Sequence, residues 1–340
     1  MRVLVTGTDG YIGTLLAPRL MEQGFEVTGI DTGFYRDAWI YNNGIRKFPL
    51  SLFSDIRDVE EEHFKGFDAV VHLAELSNDP LGEIDPRITF QINYLGSARL
   101  ARLCRSAGAK RFVYTSSCSV YGAGGGEIKT EESSVAPQTA YAECKSMVER
   151  DVTAMATDDF SPVFLRNATA YGPSPRMRFD LVLNNLAGMA WTTGQIRVTS
   201  DGSPWRPLVH LLDICDAVIA VLKAPREVVH RQVFNVGKTS ENYRVRELAE
   251  IVAQTFPSCT LSFGTNDSDN RSYRVSFDKI ERVLGFCCRR NVHVGAEQLR
   301  DLFEKIRLTP DVFEARPYTR LKKIRYLLES GQIDRDFFWR

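Results

Sequence analysis

A short apolar run, Arg2-Val3-Leu4-Val5, leads straight into Thr6-Gly7-Thr8-Asp9-Gly10-Tyr11-Ile12-Gly13 and from there into a segment with Leu15, Leu16 and Leu20 on one helical face. A strand, a glycine-rich turn and a helix, in that order, constrain the fold more than any other feature of the chain. Gly7 permits a tight turn, Gly10 lets the backbone approach a diphosphate, and Gly13 lets the helix pack close to the strand, with the helix N-terminus facing the anion. The glycine spacing is one residue longer than GxGxxG, and glycines alone often serve only as turns. Context adds weight: a second strand, Glu26 to Ile30, runs into Asp31, about 20 residues on, where a carboxylate accepts both ribose hydroxyls and repels a 2′-phosphate. NAD is therefore expected over NADP. Asp55-Ile56-Arg57-Asp58 lies where a loop can reach the adenine.

The alternation continues. Asp68 to Leu73, Arg111 to Thr115 and Val163 to Arg166 read as strands, and Asn93 to Ala107 as one of the helices between them. Strands alternating with helices predict an α/β fold: a Rossmann-type, doubly wound parallel sheet with helices on both faces. From about Gly172 the pattern loosens into Pro- and Gly-rich loops, which predicts a smaller, sequence-discontinuous substrate-binding lobe. The expected division is a dinucleotide-binding domain over residues 1–170, to which segments around 205–240 return, a second lobe over 171–315, and a basic tail over 316–340. In that tail Leu321, Ile324, Leu327 and Leu328 have helical spacing. A solvated amphipathic helix docking on the body or on a partner subunit is favoured there over a phosphate or membrane contact.

Charge excludes some partners. Lys plus Arg and Asp plus Glu number 43 each, which gives no electrostatic reason to expect nucleic acid or an anionic membrane. No apolar stretch approaches the length of a membrane span, and no leader pattern precedes the first strand. The seven cysteines, without a CxxC pair, argue against a disulfide framework or a zinc site and fit a reducing cytoplasm.

Chemistry is carried by Tyr141-Ala142-Glu143-Cys144-Lys145, which puts a phenol and an ammonium on one helical face. A free phenol is a poor base at neutral pH; a neighbouring ammonium and a positive nicotinamide are expected to favour its anion, which can then take the proton of a sugar hydroxyl. By itself Tyr-x-x-x-Lys is common. Here Thr115-Ser116-Ser117-Cys118-Ser119-Val120-Tyr121-Gly122 lies about 25 residues upstream, at the end of a parallel strand where open α/β sheets bind ligands. Ser117 is placed to hold the same substrate oxygen.

Together TGTDGYIG, Asp31, HLAELSNDP, TSSCSVYG, YAECK and NATAYGP resemble the extended short-chain dehydrogenase/reductase family, and within it the NAD-dependent nucleotide-sugar epimerases and dehydratases. The likeness runs from Met1 to about Leu284. It implies a catalytic set of Ser117, Tyr141 and Lys145. It implies NAD contacts from Gly7, Gly10, Tyr11, Ile12, Gly13, Asp31, Asp55, Ile56, Leu73, Ala74, Asn93, Tyr141 and Lys145. For the substrate it implies Ser77, Ser117, Asn167, Thr169, Asn184, Arg206 and Arg271, the arginines gripping a nucleotide diphosphate. A nucleotide-diphosphate sugar as substrate, a homodimer and the absence of a metal follow from the same likeness.

Two departures from the family pattern matter. Its dehydratases carry Asp-Glu directly after the catalytic hydroxyl, and here those places hold Cys118 and Ser119, which disfavours 4,6-dehydration. Carboxylates from elsewhere, Glu75, Asp79 and Glu83, follow a strand end from which one can reach in. In Leu165-Arg166-Asn167-Ala168-Thr169-Ala170-Tyr171 the asparagine is displaced and Thr169 fills its usual place. The leading expectation is an epimerase working through hydride abstraction and a transient keto-sugar. Net dehydrogenation or keto-reduction is the alternative, with a dehydratase or a non-catalytic dinucleotide sensor behind it.

Overall fold

The structure, a computed structural model, describes residues 1–42, 44, 47–82, 84–123, 126–265 and 272–340. Seven parallel strands make the main sheet: β1 (Arg2–Thr6), β2 (Glu26–Asp31), β3 (Leu50–Phe53), β4 (Ala69–His72), β5 (Arg111–Ser117), β6 (Ser161–Asn167) and β7 (Val233–Val236). Their spatial order is β7-β6-β5-β4-β1-β2-β3. The order reverses between β1 and β4, and at such a switch point the loops leaving the strand ends part and open a crevice. Every residue of β4 and β6 is buried, as strands covered on both faces require. β3 is the exception: Leu50 and Phe53 are exposed on the sheet edge, and its short run gives no strand signal in the sequence.

Helices α1 (Gly13–Glu22), α2 (Ser97–Ser106), α3 (Ala140–Ala154) and α5 (Leu211–Lys223) accompany the main sheet, whereas α4 (Val182–Thr193) packs against the strand Gln195–Val198, and α6 (Arg320–Glu329) lies in the tail. Before α2 the chain makes a wide-turned stretch, Phe90–Gly96, of the kind often found at functional sites. Asn93 within it is fully buried, and its side chain bonds the backbone of Leu76 in both directions, at 2.8 and 3.0 Å. This pins the loop that leaves β4. Under the same loop His72 contacts Thr6 Oγ1 at 2.6 Å and Ser97 Oγ at 2.8 Å, and burial pushes its imidazole down to about 3.

The second lobe carries a three-stranded sheet of Thr169–Tyr171, Trp205–His210 and Asn242–Arg244, and a parallel pair, Gln195–Val198 with Thr260–Phe263. Between these, α5 packs against α1 and β7 joins β6 in the main sheet, so the chain crosses between lobes more than once. The tail docks on the body of its own chain. Ile324 and Leu327 are fully buried, Tyr318 packs edge-on to Phe179 at 5.8 Å, and Trp339 Nε1 donates to the Thr32 carbonyl at 2.7 Å. Among the described residues no helix is long and apolar enough to cross a membrane.

Candidate active site

Above the switch point a cavity of about 920 Å³ runs from the glycine loop to the second lobe. At one end lie Gly7, Gly10, Tyr11, Ile12 and Gly13. Gly7 has φ +79°, and a Cβ on Gly13 would sit 2.1 Å from the Gly7 carbonyl oxygen, so the turn closes only without side chains there. Asp31, Asp55, Ile56, Leu73 and Ala74 continue the wall. The Asp31 carboxylate accepts the Asp9 and Gly33 amides at 2.9 and 2.7 Å, and burial pushes it up to about 6 despite them. Asp55 is held by Arg57 through both oxygens, at 2.9 and 2.8 Å.

Toward the other end α3 delivers Tyr141 and Lys145 to the wall, its first turn capped by Thr139 Oγ1 accepting the Ala142 amide at 3.2 Å. β5 runs two residues beyond Thr115, so Ser117 stands at the strand's very end, facing the cavity with Ser77, Ser119, Asn167, Thr169 and Arg206. Ser119 Oγ and Asn167 Oδ1 are buried without hydrogen-bond partners among the described residues. Buried polar atoms left unpaired cost free energy, so the wall is built to receive a ligand's donors and acceptors.

The electrostatics differ from the expectation for Tyr141. Lys145 Nζ sits 5.5 Å from the Tyr141 ring, but it also donates to the Thr115 carbonyl at 2.5 Å and is ion-paired with Glu75 Oε2 at 2.6 Å. Glu75 is buried too, its other oxygen accepting the Tyr114 hydroxyl at 2.5 Å. Burial pushes the Tyr141 phenol up, and the Glu75 and Asp79 carboxylates push it further; the hydrogen bond with Ser117 and the Arg178 charge pull the other way and lose. Burial is thus the chief reason the phenol without a ligand resists ionisation, and the Lys145 ammonium is engaged by Glu75.

Other expected residues sit differently. Asn93 lies behind the cavity wall as the clamp on Leu76. Asn184 turns inward, accepting the Gly172 amide at 3.0 Å and donating to the Tyr11 hydroxyl at 3.0 Å, whereas its neighbour Asn185 lines the cavity. A one-residue offset on a helix turns a side chain by about 100°, and nothing in the sequence distinguishes adjacent asparagines. Cys118 also faces away, its thiol donating to the Arg166 carbonyl at 3.2 Å and pushed up by burial. Glu75 and Asp79 do reach the wall. Arg271 and Glu83 lie outside the described residues. Arg178 and Arg320 line the cavity as well, Arg178 paired with Asp180 two residues on and reaching Ser77, and Arg320 packed over the distant Tyr35.

A model of the NAD dependent epimerase/dehydratase family matches residues 3–237, more than half of the chain. The chain belongs to that family. Its cofactor is NAD, and the glycine turn and Asp31 fit such a group. Within the family, the UDP-glucose 4-epimerase of Corynebacterium glutamicum is 28% identical over 270 residues, covering 74% of this chain and 79% of that one. The UDP-glucuronic acid decarboxylase 1 of Arabidopsis thaliana is 28% identical over 280 residues, 79% of this chain, which spans 62% of that longer protein. Among solved structures, MoeE5 in complex with UDP-glucose and NAD superposes with a TM-score of 0.77 at 26% identity, over 90% of this chain and 99% of that one. The chain is thus an NAD-dependent enzyme of a family of nucleotide-sugar epimerases, dehydratases and decarboxylases.

Proposed function

We propose that the protein is a nucleotide-sugar epimerase that oxidises a ring carbon to a transient keto-sugar and reduces it again from the opposite face. The observation that carries this reading is that Ser117, Tyr141 and Lys145 share one cavity wall with the glycine turn and with Arg206 of the second lobe. In this reading residues 1–170 and the returning strand β7 hold the cofactor, and the second lobe holds the nucleotide. Ser117 Oγ orients the sugar hydroxyl, and Tyr141 Oη takes its proton and later returns it. NAD, when bound, supplies the hydride acceptor and a positive charge beside the phenol. Lys145 adds a second positive charge nearby, its ammonium 5.5 Å from the Tyr141 ring and paired with Glu75. Arg206, and Asn185 in place of Asn184, face the substrate's diphosphate, while Asn167, Thr169 and Ser77 face the sugar. Water loss is the weaker reading, because Cys118 is turned from the cavity and the Glu75 carboxylate is occupied by Lys145 and Tyr114.

The test is incubation with UDP-, dTDP-, GDP- and CDP-sugars and NAD, with the products identified by NMR. An inverted ring carbon without accumulated NADH is the expected result. Stoichiometric NADH makes the protein a net dehydrogenase instead, and a deoxy-keto or shortened sugar makes it a dehydratase or decarboxylase.

A further inference from the structure

The tail brings an unbalanced charge into the cavity. Arg320, the first residue of α6, is 2% exposed and lines the cavity with Thr319 and Leu321. Its guanidinium carbon lies 3.7 Å over the Tyr35 ring, and Nη1 is buried with no hydrogen-bond partner among the described residues. The nearby carboxylates are already occupied. Asp180 is gripped by Arg178, Nε to Oδ1 at 2.8 Å and Nη2 to Oδ2 at 3.2 Å, and accepts the Asn78 side-chain amide at 3.0 Å and the Arg320 backbone amide, not its guanidinium, at 3.2 Å. Asp31 caps the Asp9 and Gly33 amides. A buried cation without a matching anion is costly, and a protein retains one where a ligand supplies the anion.

We infer that Arg320 is a binding residue for a diphosphate, and that this diphosphate is the one within NAD. Its position decides the source. Arg320 stacks on Tyr35, four residues past Asp31, and it is close enough to Asp31 and Arg178 to feel their charge. Arg178 in turn is within reach of Tyr11 of the glycine turn. The middle of a dinucleotide lies between that turn and the ribose carboxylate, whereas Arg206 stands on the second lobe. The tail is also fastened at this end: Trp339 to the Thr32 carbonyl, and Arg57 to the Asp336 carbonyl at 2.8 Å. The family model matches residues 3–237, and Arg320 lies outside that region. The inference rests on NAD as cofactor and stands or falls independently of which sugar is turned over.

The experiment compares wild type with Arg320→Met, which keeps volume and removes charge, in three calorimetric titrations: NAD, adenosine and UDP. Losing a charge-assisted contact to phosphate is expected to weaken NAD about 10- to 100-fold. Adenosine, which has no phosphate, is expected to bind unchanged, and so is UDP. The ligand-free melting temperature is expected to hold or rise, since an uncompensated charge is gone. NAD affinity within twofold of wild type overturns the inference. Loss of UDP binding alone moves the contact to the substrate and overturns the assignment to the cofactor. A large fall in ligand-free stability makes Arg320 a structural residue and overturns it as well.

Discussion

Replacing Glu149 by alanine tests how the catalytic end of the sheet is held. Glu149 on α3 and Arg166 on β6 form an ion pair with both side chains 8% exposed, the closest contact being 2.7 Å. Arg166 Nε also reaches Oε1 at 3.0 Å, and the Ser116 hydroxyl donates to the same oxygen at 2.5 Å. The substitution deletes the carboxylate and leaves the guanidinium buried with the Tyr121 hydroxyl, 2.9 Å away, as its remaining side-chain partner among the described residues. Breaking a buried pair from one side costs about 3–5 kcal/mol. With an unfolding entropy of roughly 2.1 cal/mol/K per residue, a chain this long loses about 0.7 kcal/mol of stability per degree, so the melting temperature should fall by about 4–7 °C. Scanning calorimetry measures this directly. Replacing both partners by apolar residues, Glu149→Leu with Arg166→Met, should recover much of the loss, because no uncompensated charge remains. A single mutant that melts within about 1 °C of wild type, or a double mutant that melts lower than the single, refutes the reasoning.

Three further outcomes are expected. Tyr141→Phe should lower turnover on the order of 10²–10⁴-fold while a calorimetric titration still detects substrate; turnover within tenfold of wild type sinks the proton-transfer role. Arg206→Ala should raise the apparent KM for a nucleotide sugar by about 10-fold or more with little change in kcat, and an unchanged KM removes it from the diphosphate. Asp31, with its carboxyl raised from 3.8 to about 6 by burial, gives a pH dependence whose sign differs for folding and for binding. Its contribution to stability declines as pH rises from about 4 to about 6, because the fold prefers the protonated form. NAD affinity should move oppositely, falling as pH drops through about 6, because the ribose hydroxyls need an ionised acceptor. Affinity flat from pH 7.5 to 5, or an unchanged profile in Asp31→Asn, contradicts this.

The parts of the site that the sequence points to and the cavity brings together share a local cause. The glycine turn, Asp31 and the Tyr141–Lys145 pair are each defined within one strand–turn–helix unit or one helical turn, so spacing alone places them. Glu75, Arg178 and Arg320 matter through what they meet across the fold. Glu75 is recognisable as a carboxylate after a strand, but its pairing with Lys145 depends on how the loop leaving β4 is pinned by Asn93, whose own role is equally non-local. The tail looks amphipathic because it is; which buried groups its polar residues face depends on the packing of Phe179 and Tyr318, which no period reports. β3 carries no signal because an exposed edge strand of four residues has no buried face to impose an alternation.

The bond from Trp339 to Thr32 joins positions 307 residues apart, and it has a consequence for the order of events in synthesis. A nascent chain displays its glycine turn early but acquires Thr319, Arg320 and Leu321 of the same pocket only about 300 residues later. The emerging Rossmann half is therefore an incomplete host for its nucleotide until residue 321 is made, and a product that stops short of residue 320 forfeits Arg320 and the bond from Trp339 to Thr32. Retention of NAD should then report that a molecule carries residues 319–321.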